Sequence, residues 1–364
     1  MQENRVVKYE GGVVSKVSNA ISIANKLLTI SEPQLIPYRK KDKWGFCTPY
    51  KKIVIDCIFD EADSFSERLA KVSLHDKYGF INKNGIIVIP CSFDWAESFS
   101  DGLAIISMNS KWGFINKEGI IVIPCFFNHV LKFSEGLARI GMNGKMGYIN
   151  KEGTIVIPCS FDRASGFFSE GLAAISLNNK CSYINKEGIN EIPYSFDEAL
   201  YFSEGLASIG MNGKMGYINK EGIIVIPCSF EMAESFSNRL AGISINGKWG
   251  FINKEGIVVI PCSFDKVEEF SEGFAAIEIK GEWGFINKEG IIVVPCSFDK
   301  VEKFSEGLAA IKMKGEWGFI NREGTIIIPC SFEFAWSFFK GLAYVGINDK
   351  RGFINYKGVQ YWED

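Results

Sequence analysis

Histidine is almost missing from this 364-residue chain, which has only His75 and His129. The two sit in unrelated sequence contexts, so a histidine-based triad or zinc site is hard to build. No apolar run approaches the roughly 20 residues of a membrane span. Charge of either sign is not in excess. The formal net charge is -3, a weak bulk field that argues against nucleic acid or an anionic membrane as partner. The opening "MQENRVVKYEGG" lacks the basic start and apolar stretch of a secretory leader. A cytoplasmic protein is the resulting expectation. No glycine loop suited to phosphate is found. No nucleophile–base pair or paired carboxylate stands apart from the rest. The chain is therefore expected to be no enzyme and to need no cofactor or metal.

What the chain has is repetition. A glycine after an aromatic residue marks the period: Gly45, Gly79, Gly113, Gly147, Gly216, Gly250, Gly284, Gly318 and Gly352, with Ser182 in the fifth copy. The spacing is 34 residues, except 35 from Gly147 to Ser182. Eight of the ten cysteines follow the same beat, as in the "PCSF" of Cys91, Cys228 and Cys262. Equivalent rungs of an array are usually too far apart to bridge. Tyr194 takes one rung, so these thiols read as packing material in a reducing compartment.

Each unit carries three strand signals, as at Leu103–Met108, 112–115 and 120–123. "NGK" between the first two is a tight hairpin turn, because both central residues need positive φ. "NKEG" between the next two suits a type I turn with a glycine bulge. Proline, as at Pro124, is expected to close the third strand. In "SFDKVEEFSEG", Asp265 reads as an N-cap, Val267 and Phe270 as helical spacing and Gly273 as a stop. A short helical turn per repeat is expected there. Arg68 and Arg239 replace that glycine, which argues against a strict need for positive φ. The glycine beside Trp112 is expected to let a neighbouring unit approach closely.

The residues "KWGFINKEG", "IVIPCSFD" and "FSEGLA" closely resemble the WG-repeat family of bacterial proteins. The resemblance covers about residues 35–362. It implies a repeat-built protein and no general activity. Met146, Cys181, Met215 and Arg351 depart from the family's aromatic, and Tyr78 does so more mildly.

Strands apolar on both faces need neighbours to cover them, which explains why units stack. The fold expected is mainly β: an open solenoid of ten three-stranded antiparallel meanders. A closed propeller-like ring is the alternative. The open form is preferred because the first unit reads as owning its first strand and the last, ending "VQYW", its third. Residues 1–34 form an N-terminal segment, with a capping helix expected over 13–30, and 35–364 the array. "QYWED" is expected to close the far end, with Trp362 at its rim.

Function is then expected where the repeat is broken. Trp95, His129, Arg163, Tyr201, Met232, Phe334 and Trp336 occupy connection positions that are otherwise Lys, Glu or Ser. Aromatic residues and Arg are favoured at interfaces. They are the candidate contacts of a protein-binding scaffold with an unidentified protein partner. The alternative is a carbohydrate or cell-envelope binder using the hairpin rings. Exposure of Trp112, Trp249, Trp283 and Trp317 bears on that choice.

Overall fold

The computed structural model describes residues 34–363. The hairpins form as their sequences require. Asn143 and Gly144 take φ of 50° and 76°, the pair of left-handed residues that matches strand twist. In the NKEG turn, Gly119 N–H donates to Asn116 O at 3.1 Å, and Asn116 Oδ1 accepts from Ile120 N–H. The result is the expected meander, as in Leu103–Met108, Lys111–Asn116 and Ile121–Phe127.

Other local expectations are corrected. The third strand runs through its proline. Trp112 pairs with Phe127 and Phe114 with Ile123, so the residues between bulge outward. Pro124 sits exposed in that bulge on the sheet edge, where no ladder donor is needed. Gly113 lies under the same bulge. A Cβ there would stand 2.3 Å from Ile123 O, so the close approach is made within the blade and not by a neighbour.

No helical turn follows, and none of the described residues is helical. Instead Trp95–Ala96 is a short strand pairing antiparallel with Leu103–Met108. Ser100 and Leu103 then exchange both backbone bonds at 3.0 and 3.2 Å, with Asp101 and Gly102 at φ 56° and 85°. Phe270, which suggested helical spacing, instead packs its ring 4.9 Å from Phe251 of the preceding blade. Arg68 and Arg239 hold φ of 76° and 71°, so this turn demands positive φ even of arginine. The aspartate is no N-cap. Asp94 takes Lys77 on one oxygen and accepts Asn109 N–H at 2.6 Å on the other, tying two hairpins together.

Ten sheets follow along the chain: nine have a short strand and three long ones, and the last has a short strand and two long ones. A core fills each gap between neighbours. Trp44, Phe46, Ile55 and Phe59 of blade 1 meet Ala62, Ala70, Val72 and Ile81 of blade 2. Successive connections touch: Ser66 Oγ donates to Phe99 O at 2.8 Å, and Lys303 pairs with Glu269 at 2.7 Å. The short-strand edges therefore converge on an axis, and the third strands form the perimeter.

The open array is overturned by the last blade. Its third strand is cut to a single bridge, Ile354 to Gln360. The chain then crosses to blade 1, where Trp362–Glu363 pairs parallel with Ile36–Lys40 (Arg39 with Trp362, Lys40 with Glu363). Lys40 and Glu363 add an ion pair at 2.9 Å. Ile36, Tyr38 and Cys47 of blade 1 share a core with Leu342 and Tyr361 of blade 10. Trp362 is buried, and its ring fills the space over Gly352. The architecture is a closed ten-bladed β-propeller, and Trp362 is its clasp instead of a free rim. The capping helix expected over 13–30 lies outside the described residues.

Candidate functional site

The ring's regular contacts define what is irregular. In most rungs the connection reads Ser-Glu. Ser305 Oγ donates to Phe338 O at 2.7 Å, and the Glu306 carboxylate accepts Gly341 N–H at 2.9 Å. Glu67, Glu135, Glu170 and Glu204 also pair with turn lysines, such as Lys117 at 2.7 Å. At blade 10 the same two positions are Phe339 and Lys340. An aromatic ring and a cation face blade 1 there instead of a hydroxyl and a carboxylate.

A cavity of about 920 Å³ lies at this seam. Blade 10 contributes Trp336, Phe339, Lys340, Tyr344, Arg351 and Phe353. Blade 1 adds Arg39 and Trp44, and the opposite wall carries Asp60, Asp63, Phe65 and Ser66. The rings form a relay from solvent to core. Trp336 lies 5.2 Å from Tyr344, Tyr344 5.1 Å from Phe353, and Phe353 6.1 Å from Trp44. Trp336 is 65% exposed and Phe339 69%, whereas Trp44 is buried. Arg39 Nε donates to Arg351 O at 2.9 Å and Nη1 to Lys41 O at 2.8 Å. Its Nη2 is buried with no partner among the described residues. Burial pushes the Tyr344 phenol up, so it stays a neutral donor. The site offers stacking surface, two guanidiniums and an opposing acidic wall.

The structure spreads the expected contact residues around the ring. Trp95, His129, Arg163, Met232 and Phe334 each open a short strand at the hairpin end of their blade. Trp95 packs 5.3 Å from Tyr78, with Lys71 over both rings. His129 Nε2 accepts from Arg139 Nη2 at 3.0 Å, and burial, then Arg139, lowers its pKa. Phe334 sits 5.7 Å from Tyr344, behind the seam wall. Tyr201 lines a second cavity of about 440 Å³ with Glu234, Glu268, Glu269 and Glu302. Of the seven, only Trp336 lines the seam. Phe339, Tyr344 and Arg39 were missed there. Phe339 had a signal, since "FFKG" breaks "FSEG".

The hairpin rings Trp112, Trp249, Trp283 and Trp317 are half-buried against the interblade cores. All ten cysteines are free, and burial raises thiols such as Cys125 and Cys296. Among the described residues no cluster of His, Cys, Asp or Glu is placed to hold a metal. No helix there is long and apolar enough to cross a membrane.

Fold and seam together define a repeat-built β-propeller, an architecture that serves in general as a scaffold for interactions. The family described as "WG containing repeat" matches nine tandem segments from residues 44–78 to 317–350. The chain belongs to that WG-repeat family. No curated protein matches it. Among solved structures it is similar to one described as the eukaryotic initiation factor, at 10% identity and TM-score 0.55, covering 82% of this chain and 95% of that one. It also matches the C-terminal WD40 domain of Sif2, at 12% identity and TM-score 0.41, over 70% of this chain and 92% of that one. At such identities the first likeness speaks for the fold alone.

Proposed function

We propose that this protein is a non-enzymatic binding scaffold and that the seam cavity receives its protein partner. The observation that carries this is the exposure of Trp336 and Phe339 beside Lys340 and Arg351, where the Ser-Glu ladder is replaced. Aromatic and arginine anchors around a concavity are the composition of binding hot spots. The test is a quantitative pull-down with wild type and a Trp336→Ala, Phe339→Ser double variant. Serine already occupies the latter position in other rungs, so the fold tolerates it. Selective loss of specific proteins from the variant is expected. Identical protein lists would refute the assignment.

A carbohydrate ligand is the second reading, supported by the same exposed rings flanked by Asp60, Asp63 and Ser66. A sugar face stacks on such rings while its hydroxyls bond to the carboxylates. Glycan-array binding that the double variant abolishes, with unchanged protein partners, would favour it.

A further inference from the structure

The turns between the second and third strands place an aliphatic residue at the rim of seven of the ten blades. Ile189, Ile223, Ile257 and Ile291 close the turns of blades 5 to 8 and are 59–60% exposed. Behind them Ile224, Val225, Val258, Val259 and Ile292 remain 43–48% exposed. Ile86 and Ile120 of blades 2 and 3 are exposed to the same degree, and open apolar surface of this extent marks an interaction face.

The order of these residues suggests the partner. From blade 4 to blade 9 the turn-closing residues are Thr154, Ile189, Ile223, Ile257, Ile291 and Thr325. They read the same in both directions. A two-fold axis between blades 6 and 7, perpendicular to the ring axis, would set Ile223 on Ile257 of a second copy. It would also set Ile189 on Ile291, and Thr154 on Thr325. Self-matching of this kind is what an isologous interface requires. We propose that this arc joins two copies of the chain, stacked turn face to turn face.

The apolar area is of the right order. A stable dimer buries about 800 Å² per partner, roughly 65% of it apolar. A fully buried aliphatic side chain represents about 100 Å² at roughly 25 cal/mol per Å², so nine half-exposed ones offer on the order of 450 Å². Charge allows it too. Each of these turns carries one cation and one carboxylate, as Lys220 and Glu221 do, so opposed turns are neutral overall. Lys186, Lys220 and Lys254 are held by Glu135, Glu170 and Glu204. That leaves little positive charge for a lipid headgroup.

The test is sedimentation velocity of the full chain over a wide concentration range. Wild type is compared with a variant carrying Ile189→Thr, Ile223→Thr, Ile257→Thr and Ile291→Thr. Threonine at 154 and 325 shows that the turn accepts it, and an unchanged thermal midpoint checks the fold. Twice the monomer mass for wild type, halved in the variant, is expected. A wild type that stays monomeric, or a variant that stays dimeric, overturns the proposal. So does a monomer that floats with neutral phosphatidylcholine vesicles, which would assign the arc to lipid.

Discussion

Two glycines with different duties separate backbone strain from crowding. Gly102 has φ 85° with nothing within 4 Å of its missing Cβ. Gly102→Ala should cost about 1 kcal/mol, the price of a left-handed residue. Gly113 has Ile123 O 2.3 Å from its missing Cβ. Gly113→Ala should cost about 3 kcal/mol, because the bulge must move. Urea denaturation of both variants measures the difference, and equal losses would contradict the assignment. Blade 5 meets the same crowding with Ser182, whose hydroxyl bonds to Asn190 Oδ1 at 3.1 Å. Glu234 supplies a pH signature. Burial, then Glu268 and Glu269, push it up to about 7. Between the usual carboxylate range and pH 7 the folded state holds a proton that the unfolded chain releases, so stability falls as pH rises through that window. Glu234→Gln should raise the melting temperature at pH 8 and leave it nearly unchanged at pH 4. A rise of equal size at both would refute this.

At the scale of elements, the meander was legible because period-two apolar runs and Asn-Gly turns are local chemistry. The connection misled for a physical reason. Val267 and Phe270 are three residues apart and both buried, the spacing of a helix face. One is buried by a short strand and the other by the ring of the preceding blade. Such non-local causes leave no local signature. Trp362 was visible as a residue but not as a strand, since two residues suffice for its pairing. Trp362→Ala should cost about 3 kcal/mol or more, as a buried indole is lost. Guanidinium unfolding checks this, and a loss below 1 kcal/mol would show that the clasp contributes little to the fold. Trp336 was legible in the seam as a broken repeat letter. Arg39 was not, because its role depends on blade 10 lying beside blade 1.

For the whole molecule, ring closure was hidden by phase. Each blade takes its short strand from the segment before its own meander, so repeat and blade are offset. Blade 1 receives its short strand from the far end of the chain, over 300 residues away in sequence, and no repeat pattern shows that. Closure also creates the seam, so the proposed binding site exists only if the ring does. The Lys40–Glu363 ion pair gives direct access to this claim. A zero-length carbodiimide crosslink, mapped by mass spectrometry on mixed ¹⁴N and ¹⁵N protein, should join Lys40 to Glu363 within single chains. Recovery of the Lys180–Asp197 crosslink from within one half of the ring, with no Lys40–Glu363 product or only a mixed-isotope one, would contradict the closed ring.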